Sequence, residues 1–82
     1  MMGFQPHAEY HETADAVYVY LSDAEARRTR SLDDRRMIDL SKDGGVVGVE
    51  FLDVSGGVDL SEIPFKHEVE RLLSDFHFRV FA

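Results

Sequence analysis

Ala16-Val-Tyr-Val-Tyr-Leu21 alternates strictly between aliphatic residues and tyrosine. In an extended chain Tyr18 and Tyr20 fall on one face and the aliphatic residues on the other, which is the two-residue period of a β-strand. Both faces are apolar enough to be covered by other parts of the protein. The stretch therefore predicts a strand with two covered faces.

Four further segments carry strand signals, and short polar stretches separate them. We predict strands at His7 to Tyr10, Glu25 to Leu32, Arg36 to Ser41 and Val46 to Val54. The clearest turn is Lys42-Asp-Gly-Gly45, because its glycines accept positive φ without strain. Gly48 interrupts the longest strand and predicts a bulge or a close contact with a neighbouring backbone or aromatic ring.

In the last part of the chain, the spacing of apolar residues changes from that of a strand to that of a helix. Apolar residues recur there at helical spacing and predict a helix from about Pro64 to Asp75: Phe65, Val69, Leu72, Leu73 and Phe76. His77 to Ala82 alternates again, which predicts an added edge strand. The predicted fold class is α+β: a small antiparallel β-meander sheet with one C-terminal helix packed on it and a short final strand. Residues 1–82 are expected to form a single domain, with the meander in 7–55 and the helix and strand in 58–82.

The length of the chain limits its core. With 82 residues, it buries only about 60 to 65% of the surface that its unfolded form exposes. The chain has no cysteine, so neither a disulfide nor a thiolate zinc site can add stability. Association with a second copy is the simplest remaining source of added stability, and we expect a homodimer.

The first six residues lack the basic start and the apolar stretch of a signal peptide. No apolar run approaches the roughly 20 residues that cross a membrane. We therefore expect a soluble, cytoplasmic protein that has no membrane partner.

Charge is distributed unevenly along the chain. The net charge of −7 disfavours non-specific attachment to nucleic acid or anionic lipid. Six of the nine cations nevertheless lie between positions 27 and 42. They form either a solvated strand pair that protects a sheet edge or a docking face for an acidic partner or a second subunit. Together with the two tyrosines, they define a candidate interaction surface: Arg27, Arg28, Arg30, Arg35, Arg36, Tyr18 and Tyr20.

The sequence contains no recognisable catalytic constellation. A metal site needs ligands that converge within about 2.0 to 2.6 Å of one point. His7 and His11 would share a face only on a helix, whereas the local pattern is strand and turn. Adjacent Asp33 and Asp34 point to opposite faces of an extended chain, which disfavours a shared proton. We assign no catalytic residue and expect no metal or cofactor.

The segment 7–55 resembles a family of small bacterial proteins, domain-of-unknown-function family number 2283. The resemblance rests on Ala14-Asp15-Ala16-x-Tyr18-x-x-Leu21-Ser22, then Asp34 and Asp39, and finally Gly45-x-Val47-Gly48-Val49-Glu50-x-Leu52-Asp53-x-Ser55. It implies a small antiparallel sheet, but no activity, substrate or cofactor. Two positions depart from the family pattern: Arg35 stands where glycine is frequent, and Val54 where alanine is common.

Four of the carboxylates within this resemblance are candidates for a structural or binding role: Asp15, Asp39, Glu50 and Asp53. The favoured interpretation is that they brace turns by accepting backbone N–H bonds. The alternative is that several converge at one end of the sheet as a binding patch.

The favoured function is a non-enzymatic interaction module, most simply a homodimer that meets its second copy through strand edges or an uncovered sheet face. An unidentified protein partner is also compatible with the pattern. One alternative is a small metal-dependent hydrolase, which requires His11, Glu12 and the aspartates to converge. The other is an antitoxin-like or nucleic-acid-associated protein that uses the basic segment 27–42.

Overall fold

Five antiparallel strands form one sheet in the computed structural model, which describes residues 3–82. In chain order they are β1 (His7–His11), β2 (Ala16–Tyr20), β3 (Arg28–Asp33), β4 (Arg36–Leu40) and β5 (Val46–Leu52). A second sheet has two strands, β6 (Val58–Asp59) and β7 (Val80–Phe81), and the helix α1 (Lys66–Leu73) lies between them in the chain. The predicted α+β class with one C-terminal helix and a short final strand is confirmed.

The strands are ordered β1-β2-β5-β4-β3 across the sheet. Strands β3, β4 and β5 follow one another as hairpins, and β2 lies beside β5, so β2 to β5 have Greek-key order. This corrects the expectation of a simple meander, in which β5 would occupy an edge. The alternation within a strand says nothing about its neighbours. No residue of β5 is exposed, which fits its central position.

Strand β3 begins at Arg28, three residues later than predicted. The preceding residues carry the chain across the end of the sheet, from β2 to the opposite edge. At the end of this crossing, the Arg27 amide donates to the Leu40 carbonyl at 2.8 Å. Arg28 and Arg30 therefore lie in the edge strand of the sheet.

The final strand does not extend the main sheet, in contrast to the prediction. β7 pairs in parallel with β6, so that the Val58 amide donates to the Arg79 carbonyl and the Leu60 amide to the Phe81 carbonyl, both at 2.7 Å. Two residues are too few to show an alternation, which explains why the sequence did not predict β6. The helix α1 serves as the crossover that a parallel pair requires.

The hydrophobic core lies between one face of the sheet and the C-terminal segment. Val17, Val19 and Phe51 contribute from the sheet, and Val69 and Leu73 from α1, each at most 1% exposed. The helix packs mainly over β1 and β2. The connection before it supplies three more buried side chains: Val58, Leu60 and Ile63.

Gly48 lies beneath the ring of Tyr18 on the face of the sheet away from the helix. A Cβ atom at this position would stand 2.5 Å from Tyr18 Oη and 2.7 Å from Cζ. The predicted close contact with an aromatic ring is confirmed. A register shift between β4 and β5 lies next to it, at Asp39 and Leu40.

Gly48→Ala is expected to lower the free energy of unfolding by about 2 kcal/mol, because the Tyr18 ring must leave its place to make room. Urea unfolding followed by circular dichroism measures the change. In a Tyr18→Ala background, the same substitution should cost much less, since the obstructing ring is absent. Equal costs in both backgrounds would show that the backbone, and not Tyr18, excludes a side chain here.

Candidate functional site

The face of the main sheet opposite α1, which we call the open face, carries the most concentrated set of aromatic and polar side chains. Strand register places these residues together: Glu9, Tyr18, Glu50 and Met37 stand in one cross-strand row, and His7, Tyr20, Gly48, Asp39 and Thr29 in the next. Cross-strand neighbours share a face, and Val17 and Val19, which alternate with the tyrosines, point into the core. The predicted separation of tyrosines from valines is confirmed.

Asp39 connects the two rows by hydrogen bonds. Its Oδ2 accepts a hydrogen bond from the Tyr18 hydroxyl at 2.6 Å, and its Oδ1 accepts one from the Thr29 hydroxyl, also at 2.6 Å. Burial raises the pKa of Tyr18, and the bond to the Asp39 carboxylate raises it further. The tyrosine therefore stays protonated and acts as a fixed donor, which locks its ring over Gly48.

An aromatic stack continues the open face toward β1. The His7 ring stacks on Tyr20 with centroids 4.7 Å apart, and Tyr20 meets Tyr18 at 4.5 Å with a tilt of 52°. The Gln5 carbonyl and the Glu9 carboxylate both raise the pKa of His7. Rings that pack against one another beside carboxylates suit contact with another surface, since they offer rigid apolar area together with acceptors.

The predicted arginines do not lie together. Arg28 and Arg30 stand opposite Leu40 and Ile38, so they project to the helix side of the sheet, away from Tyr18 and Tyr20. The other three have separate partners: Arg27 pairs with Glu25 at 3.3 Å, Arg35 pairs with Asp53 at 3.4 Å, and Arg36 is buried. The candidate interaction surface is thus divided between two faces of the sheet.

Arg36 is used inside the protein. Its guanidinium donates to Asp33 Oδ2 from Nε at 3.0 Å and from Nη2 at 2.9 Å, and Nη1 donates to the carbonyls of Ser61 at 2.6 Å and Asp59 at 3.2 Å. Only 8% of the residue is exposed. This contact joins the β3–β4 turn to the segment that leads to α1. The signal in the sequence that could have found this is the spacing of Arg36, Ile38 and Leu40, since residues two apart on a strand share a face.

The family-matched carboxylates have different surroundings. Asp15 accepts a bond from the Ser55 amide at 3.0 Å and from the Ser55 hydroxyl at 2.6 Å, which ties the β1–β2 turn to the chain after β5. Asp53 pairs with Arg35, while Asp39 and Glu50 lie on the open face. They do not gather at one end of the sheet.

The residues proposed for metal chemistry are not brought together. Across positions 3–82, the structure holds no group of three histidine or carboxylate side chains arranged for a metal ion. Asp33 and Asp34 line a pocket of about 230 Å³, and Asp33 is turned toward Arg36. Arg35 and Arg36 line the same pocket, so cations lie next to these carboxylates.

Asp33 and Asp59 are expected to make stability depend on pH. The Arg36 guanidinium holds the pKa of Asp33 below its usual range, and the Ser61 amide does the same for the pKa of Asp59. A lowered folded pKa gives stability that is complete above the unfolded pKa of about 3.9 and is lost as the pH falls through the folded pKa. The free energy of unfolding should therefore fall between about pH 5 and pH 2.

Urea titrations across this range test the expectation. Asp33→Asn should flatten the dependence, because the residue that takes up the proton in the unfolded chain is gone. Asp34→Asn removes the adjacent, exposed carboxylate and serves as the matched control. Parallel curves for the wild type and Asp33→Asn would exclude Asp33 as a source of the acid sensitivity.

No helix among the described residues is long and apolar enough to span a membrane. The longest, α1, has eight residues.

Comparison with known proteins gives a family but no function. Residues 7–55 match the model of the family described as "Protein of unknown function (DUF2283)". No curated protein and no solved structure matches the chain. The matched segment contains β1 to β5 and the turn that Asp15 braces. Since the match covers more than half of the 82 residues, the chain belongs to the DUF2283 family.

Proposed function

We propose that this protein is a non-enzymatic interaction module that forms a homodimer by placing the open face of one copy against that of a second. The observation that carries the proposal is the contrast between the two faces of one sheet. The helix side carries α1 and its preceding connection, while Tyr18, Tyr20 and Met37 on the other side are only half-buried within a single chain.

The chemistry of the open face fits a protein contact. Tyrosine and methionine are enriched at interfaces because they supply large contact areas, and the hydroxyl of a tyrosine can remain hydrogen-bonded when it is covered. Tyr18 already donates to Asp39, and Thr29 satisfies the second oxygen of that carboxylate. These three groups can therefore be covered without losing a hydrogen bond, which removes the main cost of burying them.

The small size of the domain favours association with a second copy of the same chain. A chain of 82 residues closes only one face of its sheet with one short helix, and a second copy supplies cover of matching shape through a two-fold axis. Glu9 and Glu50 are the opposing factor, because two open faces bring these carboxylates near each other. This repulsion points to moderate affinity that salt screening strengthens.

Tyr20→Ser is expected to abolish the dimer at concentrations where the wild type associates, since it removes an aromatic ring from the open face. Sedimentation velocity over a concentration series measures the change, and circular dichroism checks that the variant is folded. Phe65→Ala is the matched control, because Phe65 is an aromatic residue that is 63% exposed at the start of α1, away from the open face.

The control should associate like the wild type. If Tyr20→Ser also associates like the wild type, the open face is not the contact. If Phe65→Ala alone dissociates, the contact lies near the helix N-terminus, and the proposed surface is wrong.

A further inference from the structure

Strand β3 forms an edge of the main sheet and has a neighbour, β4, on one side only. Residues 28–31 are all exposed. Along the outer side of such a strand, alternate backbone N–H and C=O groups have no partner within the sheet, so an extended chain can add there as a further strand.

Two cations project from this edge in the same direction. Arg28 and Arg30 are two residues apart, which places both on the helix side of the sheet. Within the described part of the chain, neither lies within 4.0 Å of a carboxylate in an ion pair, whereas Arg27, Arg35, Arg36 and Arg71 all do. The protein as a whole has a net charge of −7, so these two unpaired arginines make the β3 edge a locally positive part of an otherwise acidic molecule.

A shallow groove of mixed polar and apolar character continues from these arginines. Its walls combine β-strand residues with the connection before α1: Arg30, Leu32, Ile38 and Leu40 on one side, and Glu62, Ile63 and Pro64 on the other. The groove exists because α1 packs over β1 and β2 and leaves this end of the sheet thinly covered. The edge thus presents cations first and a partly apolar surface next to them.

We propose that the β3 edge binds an extended acidic segment of a partner protein, which pairs with β3 as a sixth strand of the sheet. Alternate acidic side chains of this segment face Arg28 and Arg30, and an apolar side chain at its end enters the groove beside Leu32. Main-chain pairing supplies affinity, and the two guanidinium groups, which can each grip a carboxylate with two hydrogen bonds, select for acidic sequences. This site is separate from the open face and does not depend on the homodimer.

Two other occupants fit less well. Pairing of β3 with the β3 strand of a second copy would set arginines opposite arginines around Arg28 and Arg30, which is destabilising. A nucleic acid offers negative charge but no main-chain N–H and C=O groups to complete the edge, and the net charge of −7 repels a long polyanion.

The test uses the full chain and three probes that carry a fluorescent label: a capped peptide of alternating glutamate and valine, the corresponding lysine–valine peptide, and a single-stranded oligothymidylate of similar charge. Fluorescence anisotropy gives the affinities, and amide chemical shifts locate the site. We expect only the glutamate peptide to bind, with shifts concentrated on residues 28–32.

Arg30→Glu is expected to weaken binding of the glutamate peptide by about tenfold or more, and Arg28→Glu combined with Arg30→Glu to transfer the preference to the lysine peptide. Arg79→Glu makes the same charge change as Arg30→Glu at an exposed residue outside the sheet edge, and its affinity should stay near that of the wild type. Absence of binding, shifts on the open face instead of β3, equal loss in Arg79→Glu, or stronger binding of the oligonucleotide would each overturn the proposal.

Discussion

A chain that ends at Gly56 is expected not to fold, although it contains the whole segment that matches the family. The missing part supplies five side chains that are at most 5% exposed: Val58, Leu60, Ile63, Val69 and Leu73. Each contributes about 1.5 to 3 kcal/mol by its burial. Their combined loss is of the same order as, or larger than, the roughly 4 to 12 kcal/mol that stabilises a domain of this length.

Circular dichroism and the amide dispersion of a nuclear magnetic resonance spectrum distinguish the outcomes. Two point variants of the full chain provide the matched pair: Leu73→Ala should cost about 2 to 5 kcal/mol, and Glu70→Ala, exposed on the same helix, should cost less than about 0.5 kcal/mol. A shortened chain that unfolds cooperatively would mean that residues 7–55 are a domain by themselves and that the helix is an appendage.

Arg36→Met is expected to lower the free energy of unfolding by about 3 kcal/mol, the second-largest effect. The substitution keeps most of the side-chain volume but removes every donor of the buried Arg36 side chain. The Ser61 and Asp59 carbonyls and the Asp33 carboxylate, which is 43% exposed, then lose their partner. For a domain of this size, the change corresponds to a fall in melting temperature of about 12 to 24 °C. Thermal and urea unfolding both measure it.

Arg35→Met is the control for the neighbouring position. Arg35 lies on the surface, with 68% of its side chain exposed, and its ion pair with Asp53 is 3.4 Å long, so its loss should cost less than about 0.5 kcal/mol. Arg36→Lys should fall between the two, since it keeps the charge without the planar fork. Equal effects at positions 35 and 36 would contradict the internal role of Arg36.

The sequence predicted local structure correctly where the spacing of apolar side chains alone determines the element and its buried face. The alternation of Ala16 to Leu21 predicted both the strand β2 and the separation of its tyrosines from its valines. Gly48 predicted a bulge or a close contact, because a missing side chain in a strand leaves space that a neighbour fills, and the structure shows that this neighbour is the ring of Tyr18. The predicted helical stripe is correct for Val69 and Leu73, which are buried on α1, and wrong for Phe65, which precedes the helix and is 63% exposed.

Contacts between segments that are distant in the chain leave no pattern in the sequence of either segment. The position of β5 between β2 and β4 follows from pairing across the sheet, which the period of a single strand does not record. Strand β6 exists only because β7 returns to it after the helix. The hydrogen bonds of Asp39 to Tyr18 and Thr29 link three strands, so no local spacing predicted them.

For function, the most important difference between the sequence-based prediction and the structure is that the clustered arginines do not share one surface. Their clustering in the sequence suggested one basic surface with the tyrosines. In a strand, every second side chain points to the same face. Arg28 and Arg30 therefore project to the helix side of the sheet, and Arg36, two residues before the buried Ile38, points into the interior. The two interaction surfaces proposed above therefore use opposite sides of one sheet.

Sedimentation equilibrium of the unmodified chain, at concentrations from a few micromolar to a few hundred micromolar and at physiological salt, tests the central claim most directly. The proposed homodimer predicts a mass that rises with concentration to twice the 9.3 kDa of one chain. A constant mass of 9.3 kDa over the whole range would contradict it.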